Sequence, residues 1–279
     1  MNAPTILVFD SGLGGLTVHA HVARARPDAR IVYVADDEVF PYGRLTNGEL
    51  IERVTAVFSR LVPLIEPDLI VIACNTASTI ALAALRERFA TPFVGTVPAV
   101  KPAAAATRSR RISVLGTPGT VRQEYTAELI RNFASDCRVT LVGAPRLAAL
   151  AEAHMRGEAV SDDDLAAEIS PCFVEDEGGR TDVVALACTH YPLVLSRLEA
   201  LAPWPVTWID PAPAIARRVV QLLGEAPAGV PGRTDGKALF TAGRALTPAL
   251  ATVLAERGLS RTMVETVPSR LTPAVPSFK

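Results

Sequence analysis

Two short segments of the chain each place a cysteine directly after an apolar, strand-like run. Residues 70–76 read Ile-Val-Ile-Ala-Cys-Asn-Thr, and residues 184–190 read Val-Ala-Leu-Ala-Cys-Thr-His. A thiolate can accept a proton and a thiol can donate one. Two such groups on opposite faces of one small molecule could remove a proton from one face and return it to the other. The repeated context therefore predicts Cys74 and Cys188 as a catalytic pair.

Groups close to each cysteine in the sequence could tune its affinity for a proton. Both cysteines lie where a predicted strand turns into a helix, and the positive end of a helix dipole favours the thiolate. His190 stands two residues after Cys188, and Asp10 follows the first predicted strand, so either could assist proton transfer. Backbone N–H groups at helix starts could bind substrate carboxylates, as could the side chains of Ser11, Asn75, Thr76 and Thr189.

Simpler structural roles compete with these assignments. A cysteine that follows an apolar strand is often a small core residue, and we keep that interpretation for Cys137 and Cys172, which lack the repeated context. Asp10 could instead cap the turn before the first helix. The glycines at positions 12, 14 and 15 are similar to a nucleotide-binding turn, but their spacing departs from Gly-x-Gly-x-x-Gly.

Composition argues against several classes of protein. The 279 residues are 49% apolar and 20% charged with a net charge of −1, so nucleic acid and acidic membrane surfaces are not expected partners. No apolar run approaches the ~20 residues of a membrane span, and we expect no export signal. The four cysteines are too widely spaced for a disulfide scaffold or a zinc pair, which favours a reducing cytoplasm. Only three lysines are present, so a pyridoxal-phosphate enzyme is disfavoured; we predict neither cofactor nor metal.

Strand-like runs alternate with helical stretches along the whole chain. Predicted strands occupy residues 5–9, 31–35, 69–73, 93–97, 111–116, 139–143, 183–187, 206–209 and 239–242. Predicted helices occupy residues 16–26, 47–65, 76–89, 120–133, 147–154, 162–173, 193–201, 211–223 and 247–257. Residues 98–106 are interpreted as a crossover.

This alternation predicts an α/β fold with parallel sheets covered on both faces. The pattern restarts after about residue 98, which indicates two similar lobes, each a parallel sheet flanked by helices, with the active site in the cleft between them. We assign residues 1–98 plus 210–279 to the first lobe and residues 99–209 to the second. Ligands of open α/β sheets bind at the carboxyl ends of the strands, where Asp10, Cys74, Thr117 and Cys188 all fall.

Five motifs together resemble glutamate racemases, which belong to the cofactor-independent aspartate/glutamate racemase superfamily. They are residues 9–16 (Phe-Asp-Ser-Gly-Leu-Gly-Gly-Leu), 40–43 (Phe-Pro-Tyr-Gly), 73–78 (Ala-Cys-Asn-Thr-Ala-Ser), 116–120 (Gly-Thr-Pro-Gly-Thr) and 187–192 (Ala-Cys-Thr-His-Tyr-Pro). They occur in the order found in the family and span roughly residues 5–210.

The resemblance implies cofactor-independent interconversion of L-glutamate and D-glutamate by two thiols, Cys74 and Cys188, each serving one enantiomer with help from Asp10 and His190. It also implies a set of substrate-binding residues, which includes Asp10 and His190 as well as Ser11, Tyr42, Gly43, Asn75, Thr76, Thr117, Thr120 and Thr189. Glu152 matches a glutamate that partners the histidine. The implied product is D-glutamate for peptidoglycan, made by a cytoplasmic homodimer.

Three other interpretations remain open. Aspartate racemase, or another amino-acid racemase of the superfamily, would use the same thiol pair with a different substrate. An inactive descendant could serve as a binding protein, since some family members are described as inhibiting DNA gyrase; nothing in this sequence supports a gyrase contact. A thiol hydrolase would need one nucleophilic cysteine and would leave the second motif unexplained.

Overall fold

The computed structural model describes residues 3–244 and 246–267. In chain order the strands are β1 (Thr5–Asp10), β2 (Arg30–Ala35), β3 (Leu69–Ile72), β4 (Phe93–Gly95), β5 (Arg111–Gly116), β6 (Arg138–Gly143), β7 (Glu175–Asp176), β8 (Gly179–Arg180), β9 (Val183–Ala187), β10 (Thr207–Ile209), β11 (Lys237–Phe240) and β12 (Arg261–Val264). The α-helices are α1 (Leu16–Ala25), α2 (Asn47–Ile65), α3 (Asn75–Arg88), α4 (Val100–Ala106), α5 (Pro118–Val121), α6 (Glu124–Phe133), α7 (Leu147–Met155), α8 (Asp162–Ile169), α9 (Leu195–Leu201), α10 (Ala212–Leu223) and α11 (Pro248–Glu256). Short 3-10 helices lie at Tyr42–Arg44, Ser170–Cys172 and Tyr191–Val194.

Two parallel sheets organise these elements. The first has six strands in the order β12-β11-β2-β1-β3-β4, and the second has four in the order β6-β5-β9-β10. The segment β2-β1-β3-β4 has the same order as the whole second sheet. By this equivalence β1 corresponds to β5 and β3 to β9, so the residues that follow β3 and β9 occupy equivalent places in the two halves.

Apolar side chains cover both faces of each sheet. Along β1, Ile6 and Val8 belong to one buried cluster, while Leu7 and Phe9 belong to the cluster on the opposite face. A strand that is buried on both faces must be apolar at every position, which explains the uninterrupted runs in the sequence. The predicted α/β class with two similar lobes is confirmed.

The chain returns to the first sheet after the second is complete. α10 packs against α1, β11 pairs with β2, and β12 adds a parallel strand at the edge. This return agrees with the expectation that the C-terminal part rejoins the first half, while the lobe boundaries at residues 98/99 and 209/210 stay a prediction.

Several predicted elements differ from the structure. The helix predicted to end near residue 133 is two helices, α5 and α6, separated at Arg122 and Gln123. The stretch interpreted as a crossover contains α4, whose Pro102 lies in the first turn, where a proline is tolerated. Within the described residues, none of the helices has both the length and the hydropathy that crossing a bilayer requires.

Candidate active site

Cys74 lies at the start of α3, at the carboxyl end of the first sheet. Its Sγ takes the place of a capping oxygen and accepts a hydrogen bond from the Ala77 N–H at 3.5 Å. Ser11 Oγ is 3.8 Å from the same sulfur. The side chain is buried, and the sequence places it there because β3 and α3 are joined by only two residues.

Cys188 holds the equivalent position after β9 and has different neighbours. His190 Nδ1 lies 3.8 Å from Cys188 Sγ, and His190 Nε2 lies 2.7 Å from Glu152 Oε2. All three side chains are buried. The result is a continuous array from carboxylate to imidazole to sulfur, in which Glu152 partners the histidine as the resemblance implied.

The surroundings of Cys74 disfavour its charged form. Burial raises the pKa of the Cys74 thiol to about 12, and the negative charges of Asp10 and Cys188 add to the increase. The Ala77 N–H lowers that pKa but does not offset the burial. The start of α3 thus favours the thiolate, in the expected direction, but desolvation of the buried sulfur outweighs this effect.

The surroundings of His190 favour its protonated form, the imidazolium. Burial alone would lower its pKa, but hydrogen bonds to Cys188 and Glu152 and the negative charges of these groups raise it well above the usual value. Nε2 then keeps its proton and donates a hydrogen bond to the Glu152 carboxylate. Cys188 therefore has an imidazolium beside it, whereas Cys74 has Ser11 and a backbone N–H, so the two sulfurs have unlike surroundings.

Asp10 connects the two halves of the site. Its Oδ1 accepts the Gly12 N–H at 3.0 Å, and its Oδ2 accepts the Thr189 hydroxyl at 2.8 Å. The capping role and the site role that we weighed separately for Asp10 are thus combined in one carboxylate. Burial raises its pKa, although the charge of His190 opposes the shift.

The glycine-rich turn between β1 and α1 receives side chains from the second lobe. A Cβ on Gly12 would lie 2.9 Å from Glu152 Oε2, and one on Gly14 would lie 2.7 Å from His190 Cε1. The Leu13 N–H donates to Glu152 Oε2 at 3.1 Å. The glycines therefore make room for Glu152 and His190, which accounts for the turn without a nucleotide.

Three threonine hydroxyls meet across the cleft. Thr76 Oγ1 lies 3.1 Å from Thr117 Oγ1 and 3.2 Å from Thr120 Oγ1, and the latter two are 3.1 Å apart. Gly43 approaches the same place, since a Cβ on it would lie 3.2 Å from Thr117 Cβ. The structure thus brings together four of the residues proposed to hold a substrate.

Asn75 carries a buried amide that is unusual in having no internal partner. Neither its Oδ1 nor its Nδ2 makes a hydrogen bond to the described residues. Buried polar groups are nearly always hydrogen-bonded, and exceptions call for an explanation. The position of Asn75, next to Cys74 at the strand end, suits an amide reserved for a ligand.

Sequence reasoning missed a buried network behind Tyr42. The Tyr42 hydroxyl donates to Asp36 Oδ2, whose carboxylate also pairs with Arg53. Phe40 was quoted only within a motif, but its ring packs 5.2 Å from the His190 ring. The available signal was Arg53 itself, a charged residue on the apolar face of α2 between Leu50 and Val54.

The chain is similar to several known proteins. The family described as Asp/Glu/Hydantoin racemase matches residues 17–219. The glutamate racemase of Brucella anthropi is 56% identical over 219 residues, which cover 78% of this chain and 79% of that protein. The glutamate racemase of Rhizobium meliloti is 53% identical over 240 residues, which cover 86% and 87%. The crystal structure of Escherichia coli glutamate racemase with L-glutamate and the activator UDP-MurNAc-Ala aligns with a TM-score of 0.85 and 39% identity over 95% of this chain and 99% of that one.

The fold and the paired thiols define a two-lobe α/β protein equipped for acid–base chemistry in its cleft. The extent of these similarities then settles its relationship: the chain belongs to the Asp/Glu/Hydantoin racemase family. The family resemblance drawn from the five motifs is confirmed.

Proposed function

We propose that the protein interconverts L-glutamate and D-glutamate without a cofactor, using Cys74 and Cys188 as the two acid–base groups. One observation carries the proposal: Cys74 and Cys188 follow equivalent strands of the two lobes, and the residues beside them meet. Ser11 lies 3.8 Å from the Cys74 sulfur, and Thr189, which follows Cys188, donates its hydroxyl to the neighbouring Asp10 at 2.8 Å. Curated relatives named glutamate racemase, at 53–56% identity over most of the chain, support the choice of substrate.

In the proposed reaction one sulfur, as thiolate, takes the α-proton, and the thiol on the opposite face delivers its own proton to the α-carbon. The C–H bond that breaks and the one that forms lie on opposite faces, so the configuration inverts and the two sulfurs exchange protonation states. His190 stabilises the thiolate at Cys188, and Asp10 assists at Cys74. Hydrogen-bond donors in a closed, dry site stabilise the carbanion-like intermediate.

The remaining site residues are assigned to substrate binding. Asn75 offers a buried amide that has no partner among the residues the structure describes, and the Thr76, Thr117 and Thr120 hydroxyls offer donors at the junction of the lobes. Ser11, Tyr42, Gly43, Thr189 and the auxiliary pair Asp10 and His190 complete the set, with Glu152 behind His190. The product would be D-glutamate for peptidoglycan. The four free cysteines fit a reducing cytoplasm, and we propose a homodimer by analogy with the family.

The test is incubation of L-glutamate and, separately, D-glutamate in deuterated water without added cofactor. We expect loss of optical activity together with incorporation of deuterium at the α-carbon in both cases. L-aspartate serves as the matched substrate, because its side chain is one methylene shorter. Turnover of aspartate but not of glutamate would replace the proposal with aspartate racemisation, and no exchange with either would contradict racemase activity.

A further inference from the structure

A buried ion pair supports the turn that carries Tyr42 and Gly43. Arg53 Nη2 lies 2.5 Å from Asp36 Oδ1, and Arg53 Nε lies 2.9 Å from Asp36 Oδ2. The two side chains are 1% and 0% exposed. The Thr241 hydroxyl also donates to Asp36 Oδ1, at 2.7 Å, and Arg53 Nη1 donates to the Val267 carbonyl at 2.8 Å. Every side-chain nitrogen and oxygen of Asp36 and Arg53 thus takes part in a hydrogen bond.

The pair lies directly beside the candidate site. The Asp36 N–H donates to the Asp10 carbonyl at 2.9 Å, so the two aspartates end neighbouring strands. Tyr42 donates its hydroxyl to Asp36, which fixes the start of the 3-10 turn. The next residue, Gly43, faces Thr117 across the cleft. Only Tyr42 and Gly43 therefore stand between Asp36 and Thr117. A displacement of Asp36 would shift Gly43 against the threonine hydroxyls.

We propose that Arg53 is a positioning residue for substrate binding. It fixes Asp36 as the anchor of the Tyr42–Gly43 turn, and it neutralises a buried carboxylate that would otherwise repel the carboxylates of an acidic amino acid. The inference rests on the proposed function, because the charge argument requires an anionic substrate. Arg53 does not touch that substrate; it acts through Asp36 and Tyr42.

The charge part of the proposal follows from the composition of the site. Arg53 pairs with Asp36 and His190 pairs with Glu152, while the third buried carboxylate, Asp10, accepts from neutral donors. Removing one cation from a buried pair leaves an uncompensated charge, and that charge acts strongly in a medium of low polarity. An incoming substrate with two carboxylates would meet that excess of negative charge.

The experiment compares Arg53→Gln with the double variant Asp36→Asn/Arg53→Gln in steady-state kinetics at pH 8.5. Arg53→Gln should raise KM for glutamate by about tenfold or more, with a smaller change in kcat. The double variant removes the stranded charge but keeps, at position 36, an amide oxygen that can still accept from Tyr42, so its KM should return to within about threefold of wild type. The control is Arg26→Gln, which breaks the mostly buried Arg26–Asp28 pair far from the cleft and should leave KM unchanged.

Two outcomes would overturn the proposal. The first is an Arg53→Gln enzyme with wild-type KM, and the second is a double variant no better than the single one, which would indicate a purely structural role. Thermal unfolding of all three variants shows whether the altered enzymes are folded. Failure of the proposed function is a separate result, since it would appear as absent racemisation in the wild-type protein.

Discussion

At the scale of single residues, the two sulfurs occupy equivalent positions but have different partners. Cys74 has a backbone donor, a serine and a nearby aspartate, while Cys188 has a histidine backed by a glutamate. The chemistry of racemisation is symmetric, but the protein that surrounds it is not. The two directions of the reaction should therefore respond differently to changes on the two sides.

The first prediction concerns the cysteines. Replacement of Cys74 or Cys188 by alanine should reduce racemisation at least about 10²-fold, the lower end of what a positioned acid or base contributes. Replacement by serine should impair the L→D and D→L directions unequally, because each sulfur takes the proton from one enantiomer. Initial rates in both directions give the measurement.

The matched control is Cys172→Ala, which removes a buried thiol in the apolar core of the second lobe. This variant should lose some stability and retain wild-type kinetics. Equal loss in both directions, whichever cysteine is replaced by serine, would contradict the assignment of one sulfur to each face.

The second prediction concerns Glu152→Gln. The glutamine can still accept from His190 Nε2, but the negative charge that helps to raise the pKa of His190 is lost. A group with a raised pKa keeps its proton up to higher pH, so the variant should lose imidazolium earlier as pH rises. The alkaline limb of the kcat/KM profile should move to lower pH.

Glu168→Gln provides the comparison for Glu152. Glu168 is another buried glutamate of the second lobe, but its carboxylate binds Arg146 and the Leu147 N–H, outside the site. Its replacement should lower stability and leave the pH profile in place. If the two variants gave the same profile as wild type, Glu152 would not govern the protonation of His190.

At the scale of elements, the glycine-rich turn is where the lobes fit together most closely. The third prediction is that Gly14→Ala disturbs the His190 ring, because the added Cβ would overlap it. Overpacking of this kind costs about 1–3 kcal/mol, and we expect an additional loss of activity from displacement of the ring. Urea unfolding and racemisation rates measure the two effects.

Gly48→Ala is the control for that substitution. Gly48 lies in the exposed first turn of α2, with no atom within 4 Å of an added Cβ. Alanine there should be neutral or stabilise by up to about 1 kcal/mol, since glycine is a weak helix former. A Gly14→Ala enzyme with normal activity and stability would show that the close fit is not required.

The sequence predicted elements well where burial controls the pattern and poorly where it does not. The boundaries of α2, β5 and β9 agree with prediction because apolar residues repeat at the helical period in α2, while β5 and β9 are short, mainly apolar runs that are buried on both faces. β12 was missed because all four of its residues are exposed, so burial imposes no apolar pattern. α4 was missed because its segment, with Pro98 and Pro102 near the start, was interpreted as a crossover between the lobes.

The same contrast applies to the site. Residues in repeated motifs could be predicted because strand ends of a parallel sheet must meet at one edge. The partner of Arg53 could not, because the position of Arg53 on the apolar face of α2 signals a buried charge but only the tertiary fold brings it against Asp36. The pKa of Cys74 depends on how far the lobes desolvate it, which no local pattern encodes.

At the scale of the whole molecule, a buried histidine that is not one of the assigned site residues links stability to pH. His19 on α1 is 2% exposed, and its Nδ1 has no hydrogen-bond partner among the described residues. Burial, with a smaller effect from the charge of Arg257, lowers the pKa of His19 to about 4. In the unfolded chain the group should titrate near 6.5.

The fourth prediction follows from that difference. The unfolded state binds a proton at His19 before the folded state does, so the stability associated with the neutral ring is complete above pH 6.5 and is lost as pH falls toward 4. The loss amounts to at most about 3 kcal/mol, since one pKa unit corresponds to about 1.4 kcal/mol. Free energies of unfolding between pH 4 and 7 should fall less steeply for His19→Gln than for wild type.

The exposed His154 gives the control for this measurement. His154→Gln should follow the wild-type dependence on pH throughout. If His19→Gln also kept the wild-type slope, some other group would account for the acid sensitivity.

The close contact between the two lobes also affects how an amino acid enters and leaves the cleft. Both sulfurs, Asp10 and His190 are all less than a tenth exposed, and contacts such as Leu13 with Glu152 join the two sides of the chamber. An amino acid can enter or leave only while such contacts are parted, and parting them also separates the carboxylate–imidazole array from the glycine turn. Substrate exchange therefore requires the contacts between the lobes to open, and proton transfer requires them to be closed, so the two states alternate in every turnover.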